Sequence, residues 1–199
     1  MIRPARQDQD FLNDVAAHRD EFRHLRLWWL GQSGFLLQWQ GRHLLFDPYL
    51  SDSLTRKYAL TDKPHVRMTE RVVAPEALDF IQVVTSSHNH TDHLDPDTLK
   101  PLLTANPRLE LVIPEANREF VSDRLGVILE LPVGLNAGES VRLPPFTIHA
   151  VPAAHEQIEQ DEAGRHRYLG YVVEAGPWTL YHSGDTVRYP GMVERLRNW

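Results

Sequence analysis

The chain has 199 residues, of which 42% are apolar and 24% charged, a composition typical of a globular protein with a sizeable core. No apolar run approaches the roughly 20 residues needed to span a bilayer, and the N-terminus lacks the apolar stretch of a signal peptide, so we expect a cytoplasmic protein without a membrane partner. The net charge of −6 argues against nucleic acid as a partner, and the absence of cysteine means that any metal must be held by histidine and carboxylate.

The first part of the chain changes from a helical to a strand-like pattern. Residues 11–25 space their apolar side chains roughly as a helix does. From residue 26 the pattern predicts strands joined by a turn at Gln40-Gly41. We therefore expect an N-terminal helical segment, residues 1–25, followed by one main domain, residues 26–199. Residues 51–75 are polar and contain two prolines, which indicates a long excursion or lid.

The rest of the chain mixes strands and helices. The segment IQVVTSSH predicts a buried strand, and after a loop Asp95 is placed to cap a helix whose first residue is Pro96. The segments LELVIP and VILEL predict strands on either side of a helix that ends at Gly126. Later residues predict a hairpin about Ala175-Gly176-Pro177 and a helix from Pro190. This mixture favours an α/β sandwich with two mixed sheets inside and helices outside.

Three histidines and a carboxylate lie within six residues, HNHTDH, which begin at the last residue of the segment IQVVTSSH. In an extended stretch, residues two apart point the same way, so His88 and His90 can hold one cation together. After a turn, Asp92 and His93 can face a second cation. Imidazole and carboxylate suit zinc, and also manganese or iron. The alternative is a polar, histidine-rich loop, but so many ionisable groups beside a buried strand are costly unless a metal offsets the cost.

This segment matches the H-x-H-x-D-H signature of the metallo-β-lactamase superfamily, which the chain resembles from Arg26 onward. His155, in VPAAHE, and Asp185, in YHSGDT, stand where that superfamily places its third histidine and its metal-bridging aspartate. The resemblance implies an αβ/βα sandwich of two mixed β-sheets with outer helices. Within the superfamily, the sequence is most similar to the branch that includes L-ascorbate-6-phosphate lactonase.

The resemblance also implies a centre for one or two metal ions, expected to be zinc. A bound cation would lower the pKa of a water and polarise the scissile group, and Asp92 would be the catalytic residue that orients the hydroxide and receives a proton. The implied ligands are His88, His90 and His155 for the first ion, and Asp92, His93 and the bridging Asp185 for the second.

One further carboxylate has two interpretations. Asp47, in FDPYL, follows an apolar strand and precedes a proline. It is either a turn residue or an acceptor that orients a ligand histidine, and the aspartate that the resembled family carries there favours the acceptor.

One expected feature of the family is missing. The family takes another histidine for the second ion from a late strand, and here no histidine follows Asp185. We therefore interpret the chain as C-terminally incomplete and expect the second ion to bind less tightly than the first. An unpaired sheet edge would also favour self-association into a homo-oligomer.

Three functions remain open from the sequence. The first is hydrolysis of a small ester-like molecule, such as a lactone or phosphoester, by metal hydroxide. The second is a phosphodiesterase or nuclease of the same fold, against which the negative charge weighs. The third is a metal-binding module without catalysis. Substrate choice would lie in the variable loops, here residues 51–75 and 156–167.

Overall fold

The computed structural model describes residues 1–199, which form two compact units. The first unit contains Met1–Val84 and His90–Leu109, and the second contains residues 85–89 and Glu110–Trp199. The predicted N-terminal segment, residues 1–25, therefore belongs to the first unit. The short piece of chain that begins the histidine motif belongs to the second.

The first unit is built on an antiparallel meander, in which β1 pairs with β2 and β2 with β3. The predicted turn at Gln40-Gly41 is confirmed, and both residues have positive φ, as a two-residue hairpin turn requires. The elements of this unit are α1 (Asp8–Ala17), β1 (Arg26–Trp29), β2 (Phe35–Trp39), β3 (Arg42–Phe46), α2 (Ser53–Tyr58), β4 (Val83–Thr85, whose last residue is counted in the second unit) and α3 (Pro96–Ala105).

The core of the first unit lies on the central strands of this meander. Leu36 and Leu37 of β2 and Leu44 and Leu45 of β3 are completely buried. Burying one leucine side chain contributes roughly 1.5–3 kcal/mol to folding. Side chains on both faces of β2 and β3 are buried. The sequences of these strands are therefore mainly apolar runs and do not alternate between apolar and polar residues.

Helix α1 is shorter than the helical pattern of residues 11–25 predicts. At His18 the backbone leaves the helical region, and the His18 carbonyl accepts a hydrogen bond from the side chain of Gln38 instead of continuing the helix. Phe22, which the pattern places on the apolar face, is 56% exposed. The helix therefore ends at Ala17, and residues 18–25 run on to β1 without regular structure.

Helix α3 begins as predicted, with Asp95 at the capping position and Pro96 as its first residue. The buried carboxylate of Asp95, however, does not bond to the free backbone N–H groups of the helix. It accepts hydrogen bonds from the hydroxyls of Thr98 (2.6 Å) and Ser53 (2.9 Å). The Thr98 hydroxyl in turn accepts from the backbone N–H of Leu50 at 2.8 Å, so Asp95 ties the start of the helix to residues 50–53.

The second unit contains a parallel pair, β5 with β6, and an antiparallel sheet in the order β10-β9-β8-β7. The predicted hairpin after Ala175 is confirmed by the pairing of Ala175 with Trp178. The elements are β5 (Glu110–Pro114), α4 (Arg118–Leu125), β6 (Val133–Leu135), β7 (Ser140–Leu143), β8 (Phe146–Pro152), β9 (Leu169–Ala175), β10 (Trp178–His182) and α5 (Met192–Leu196). The predicted combination of helices with mixed sheets is therefore confirmed.

The strand predicted at VILEL is wrong. Helix α4 ends at Gly126 as predicted, but the next residues form no strand, and Ile128 is 69% exposed. The Arg118 side chain donates to the carbonyls of Leu129 and Pro132, which occupies groups that a strand would offer to its neighbour. The strand begins instead at Val133, as β6. No helix in either unit has the length and apolar character needed to cross a membrane.

Candidate metal centre

The histidine motif occupies the loop between β4 and α3, as predicted, and not a helix. The two units divide this loop, with His88 in the second and His90, Asp92 and His93 in the first.

In the second unit, two histidines face one carboxylate. The Nε2 atom of His88 lies 3.9 Å from Oδ2 of Asp185, and Nε2 of His155 lies 4.0 Å from the same oxygen. The ligand atoms of the three residues all lie within 4.8 Å of one another. The structure thus brings together three of the residues selected from the sequence, although they are far apart along the chain.

Backbone hydrogen bonds after β8 hold His155 close to Asp185. The N–H of Ala154 donates to the Thr186 hydroxyl at 2.9 Å, and the N–H of Val187 donates to the Ala154 carbonyl at 2.7 Å. The loops that carry His155 and Asp185 are therefore joined by two hydrogen bonds at Ala154. Ala154 directly precedes His155, and Thr186 directly follows Asp185.

His88 is held by a second set of contacts. Its Nδ1 atom lies 3.0 Å from the Ser87 hydroxyl, and its carbonyl accepts from the Ser86 hydroxyl at 2.8 Å. The buried Tyr171 hydroxyl donates to the Ser86 carbonyl at 3.0 Å, which anchors this segment to β9. Because Nδ1 is turned towards Ser87, Nε2 is the His88 nitrogen that faces Asp185.

Gly184 lets the loop before Asp185 approach His88. Its φ is +55°, and a Cβ at this position would lie 2.6 Å from both Cβ and Oγ of Ser87. Only glycine combines this conformation with so close a contact. The close approach to Ser87 therefore explains the glycine that precedes Asp185 in the SGDT segment.

Tyr168 is a residue that the sequence analysis missed. Its ring centroid lies 5.2 Å from that of His88 and 5.5 Å from that of His155, and the two histidine rings are 5.9 Å apart. Burial, and to a lesser degree the negative charges of Glu159 and Glu156, raise the pKa of the Tyr168 hydroxyl. In the sequence it is one more aromatic residue at the start of a strand, so only the fold identifies it.

In the first unit, a buried pair supports the remaining donors. The Nδ1 atom of His93 lies 2.6 Å from Oδ2 of Asp47, and its Nε2 atom lies 3.8 Å from Oδ2 of Asp92. The Asp92 side chain is about one third exposed, so its carboxylate is accessible. Of the two interpretations of Asp47, the structure supports the acceptor, which contacts His93; the role of His93 as a ligand stays a prediction. His90 lies in this unit, and its role as a ligand stays a prediction.

The donor chemistry fits a divalent cation. Distances of 3.8–4.0 Å between a histidine nitrogen and a carboxylate oxygen are too long for a hydrogen bond. They are within the separation of two ligands on one cation, because zinc lies about 2.0–2.2 Å from each such ligand. Imidazole with carboxylate is a donor set for zinc, manganese or iron. The ligand assignment itself stays a prediction.

Comparison with known proteins identifies the family of this chain. A family model described as the beta-lactamase superfamily domain matches residues 26–193. The chain is 26% identical over 160 residues to a UPF0173 metal-dependent hydrolase from Hyperthermus butylicus, covering 79% of this chain and 60% of that protein. It is 30% identical over 173 residues to a UPF0173 metal-dependent hydrolase from Opitutus terrae, covering 84% and 66%. The chain thus spans three fifths to two thirds of the length of these relatives.

A solved structure identifies the fold. The metallo-beta-lactamase fold protein YhfI from Bacillus subtilis superposes with a TM-score of 0.55 at 18% identity. The superposition covers 83% of this chain and 59% of YhfI. With the family match over most of the sequence, this confirms the predicted fold class, and the chain belongs to the beta-lactamase superfamily domain family.

Proposed function

We propose that this chain is a metal-dependent hydrolase that acts on a small ester-like substrate, either a lactone or a phosphoester. The description of the UPF0173 relatives as metal-dependent hydrolases supports the reaction class. The resemblance to the lactonase branch supports the substrate class. The absence of a basic field, with 21 lysines and arginines against 27 acidic residues, favours a small molecule over nucleic acid.

The proposed centre holds zinc, with manganese or iron as alternatives. The observation that carries the proposal is the sharing of one Asp185 oxygen by His88 and His155, at nearly equal distances. A carboxylate that two neutral imidazoles face is an arrangement that a cation stabilises. The proposed ligands are His88, His90 and His155 for the first ion, Asp92 and His93 for the second, and Asp185 between them.

The chain's own residues would orient and activate these groups. When bound, the cation supplies a water of lowered pKa and a positive charge next to the scissile group. Asp92 presents an accessible carboxylate, which we assign the role of orienting the attacking water and accepting its proton. Asp47 acts through His93: a carboxylate on Nδ1 keeps the proton there and leaves the Nε2 lone pair for the cation.

The experiment combines metal analysis with turnover. The metal-free 199-residue chain is loaded separately with zinc, manganese and iron(II) and assayed on lactones, phosphomonoesters and phosphodiesters. We expect metal-dependent turnover of a lactone or phosphomonoester. We also expect His88→Ala to lose metal at the first site, and Asp92→Asn to bind metal more weakly at the second site and to lose most of the activity.

His24→Ala is the matched control, because His24 is an exposed histidine paired only with Glu21 at the surface. It should retain both metal content and activity. Turnover of phosphodiesters alone would favour the phosphodiesterase or nuclease. Stoichiometric metal with no turnover of any substrate would refute the hydrolase and support a metal-binding module.

A further inference from the structure

We propose that Tyr168 is a positioning residue for the metal centre: its ring packs against both His88 and His155 and holds the two imidazoles in the orientation in which they face Asp185. The inference rests on the proposed function and adds to it a residue outside the ligand set. It concerns the second unit alone, in which all four residues lie.

The Tyr168 ring lies close to the rings of both histidines. Tyr168 lies against His88 at 5.2 Å with an interplanar angle of 38°, and against His155 at 5.5 Å with an angle of 33°. Both centroid separations are typical of interacting aromatic rings. The two histidine rings, 5.9 Å apart, therefore share one aromatic neighbour.

The backbone at Tyr168 is also joined by hydrogen bonds to the segments that carry His88 and His155. Its carbonyl accepts from the N–H of Ala153, two residues before His155, at 3.1 Å. The N–H of the next residue, Leu169, donates to the Ser87 carbonyl, directly before His88, at 3.0 Å. The backbone that carries the ring is therefore held next to both histidine segments by hydrogen bonds at the start of β9.

The two histidines are buried to different extents. The His88 side chain is 1% exposed and is also anchored through Ser87, whereas the His155 side chain is 34% exposed. Rotation about the outer side-chain torsion of histidine is broad and weakly restricted by the residue itself. A partly exposed ligand histidine depends on its neighbours for orientation, so removal of the Tyr168 ring should release His155 most.

We expect the ring of Tyr168, and not its hydroxyl, to influence metal binding. The contacts with the histidines involve the ring, so Tyr168→Phe should preserve them and Tyr168→Ala should remove them. Loss of an interaction that orients a metal ligand typically weakens metal binding about 10–100-fold. A side chain that only stabilises the sheet would lower the free energy of unfolding but leave the metal affinity of the folded protein unchanged.

The test measures zinc affinity by competition with a chromophoric chelator, and the visible absorption of the cobalt(II)-substituted protein, on the full 199-residue chain. Urea denaturation of each metal-free variant ensures that only folded protein is compared. We expect Tyr168→Ala to bind zinc at least about tenfold more weakly, with an altered cobalt spectrum. Tyr168→Phe should match the unsubstituted chain in both.

Trp178→Ala is the matched control. Trp178 is a partly exposed aromatic residue paired with Ala175, at the end of β9 opposite to Tyr168. The Trp178→Ala substitution should leave the zinc affinity and the cobalt(II) absorption spectrum unchanged. Unchanged zinc affinity in Tyr168→Ala would overturn the inference while the proposed function stands. An equal loss in Tyr168→Phe would assign the effect to the hydroxyl and overturn the ring-packing argument. Failure of the unsubstituted chain to bind any metal would overturn both proposals.

Discussion

The Nδ1 atom of His93 and Oδ2 of Asp47 are 2.6 Å apart, and both side chains are almost completely buried. Asp47 adopts a φ of +39°, a region that non-glycine residues rarely occupy. A strained backbone at a buried carboxylate is maintained only where the surrounding contacts require it. The hydrogen bond to His93 is one such contact, and it orients a histidine of the motif.

Asp47→Asn should therefore weaken metal binding at the His93 site. The amide lacks the negative charge that holds the proton on Nδ1, and loss of such a partner typically costs about 10–100-fold in affinity. Zinc titration with a competing chelator measures the effect. Asp62→Asn, which changes an exposed aspartate of the same unit, is the control. Equal affinities of Asp47→Asn and the control would show that Asp47 has no role in metal binding.

Gly184→Ala should destabilise the chain by about 2–4 kcal/mol, because the new Cβ would lie 2.6 Å from Ser87 in a left-handed conformation. Gly164→Ala is the matched control. Gly164 also has a positive φ, +76°, but a Cβ there would have no neighbour within 4 Å, so only the conformational cost of about 1–2 kcal/mol applies. Urea denaturation compares the two, and equal losses would contradict the close approach of Gly184 to Ser87.

Asp95→Ala should cost about 2–4 kcal/mol of stability, because the buried Thr98 hydroxyl and the half-buried Ser53 hydroxyl would lose their acceptor. Asp97→Ala, two residues later in the same helix, removes an exposed carboxylate that pairs with Arg56 at the surface. Such pairs contribute at most about 1 kcal/mol. Urea midpoints of the two variants should differ clearly, and a larger loss in Asp97→Ala would refute the role of the Asp95 network.

We expect the free energy of unfolding to decrease in mild acid because of the buried His43 side chain. Burial, helped by the positive charge of Arg19, lowers the pKa of His43 to about 4 in the folded protein, from an ordinary value of 6.5. The unfolded chain therefore binds a proton that the folded chain does not, and stability decreases as pH falls from about 6.5 towards 4. The full decrease in the free energy of unfolding that His43 causes is roughly 3 kcal/mol. Above pH 6.5 the contribution is fully present.

The measurement is the free energy of unfolding as a function of pH for the unsubstituted chain and for His43→Gln. The glutamine cannot titrate, so its curve should be flatter between pH 4 and 6.5. Other groups contribute equally to both curves and cancel in the difference. Parallel curves would contradict the lowered pKa of His43.

Local patterns predicted much of the fold. The turn at Gln40-Gly41, the start of α3 at Pro96 and the end of α4 at Gly126 were correct because each depends on residues within one turn of the chain. The strand at VILEL was wrong because an apolar run forms a strand only where a neighbour accepts its hydrogen bonds. There, Arg118 binds the carbonyls instead.

In the candidate site, too, some features could be predicted from the sequence and others depend on tertiary contacts. The sequence by itself determined the donor chemistry, because the lack of cysteine and the grouping of His88, His90, Asp92 and His93 are properties of the residues. Their resemblance to a known family pointed further to His155 and Asp185. Only the tertiary structure decided that His155 and Asp185 meet His88 and that Tyr168 lies against both histidines. Those contacts arise from hydrogen bonds between distant segments, such as Leu169 with Ser87 and Val187 with Ala154, which no local pattern encodes.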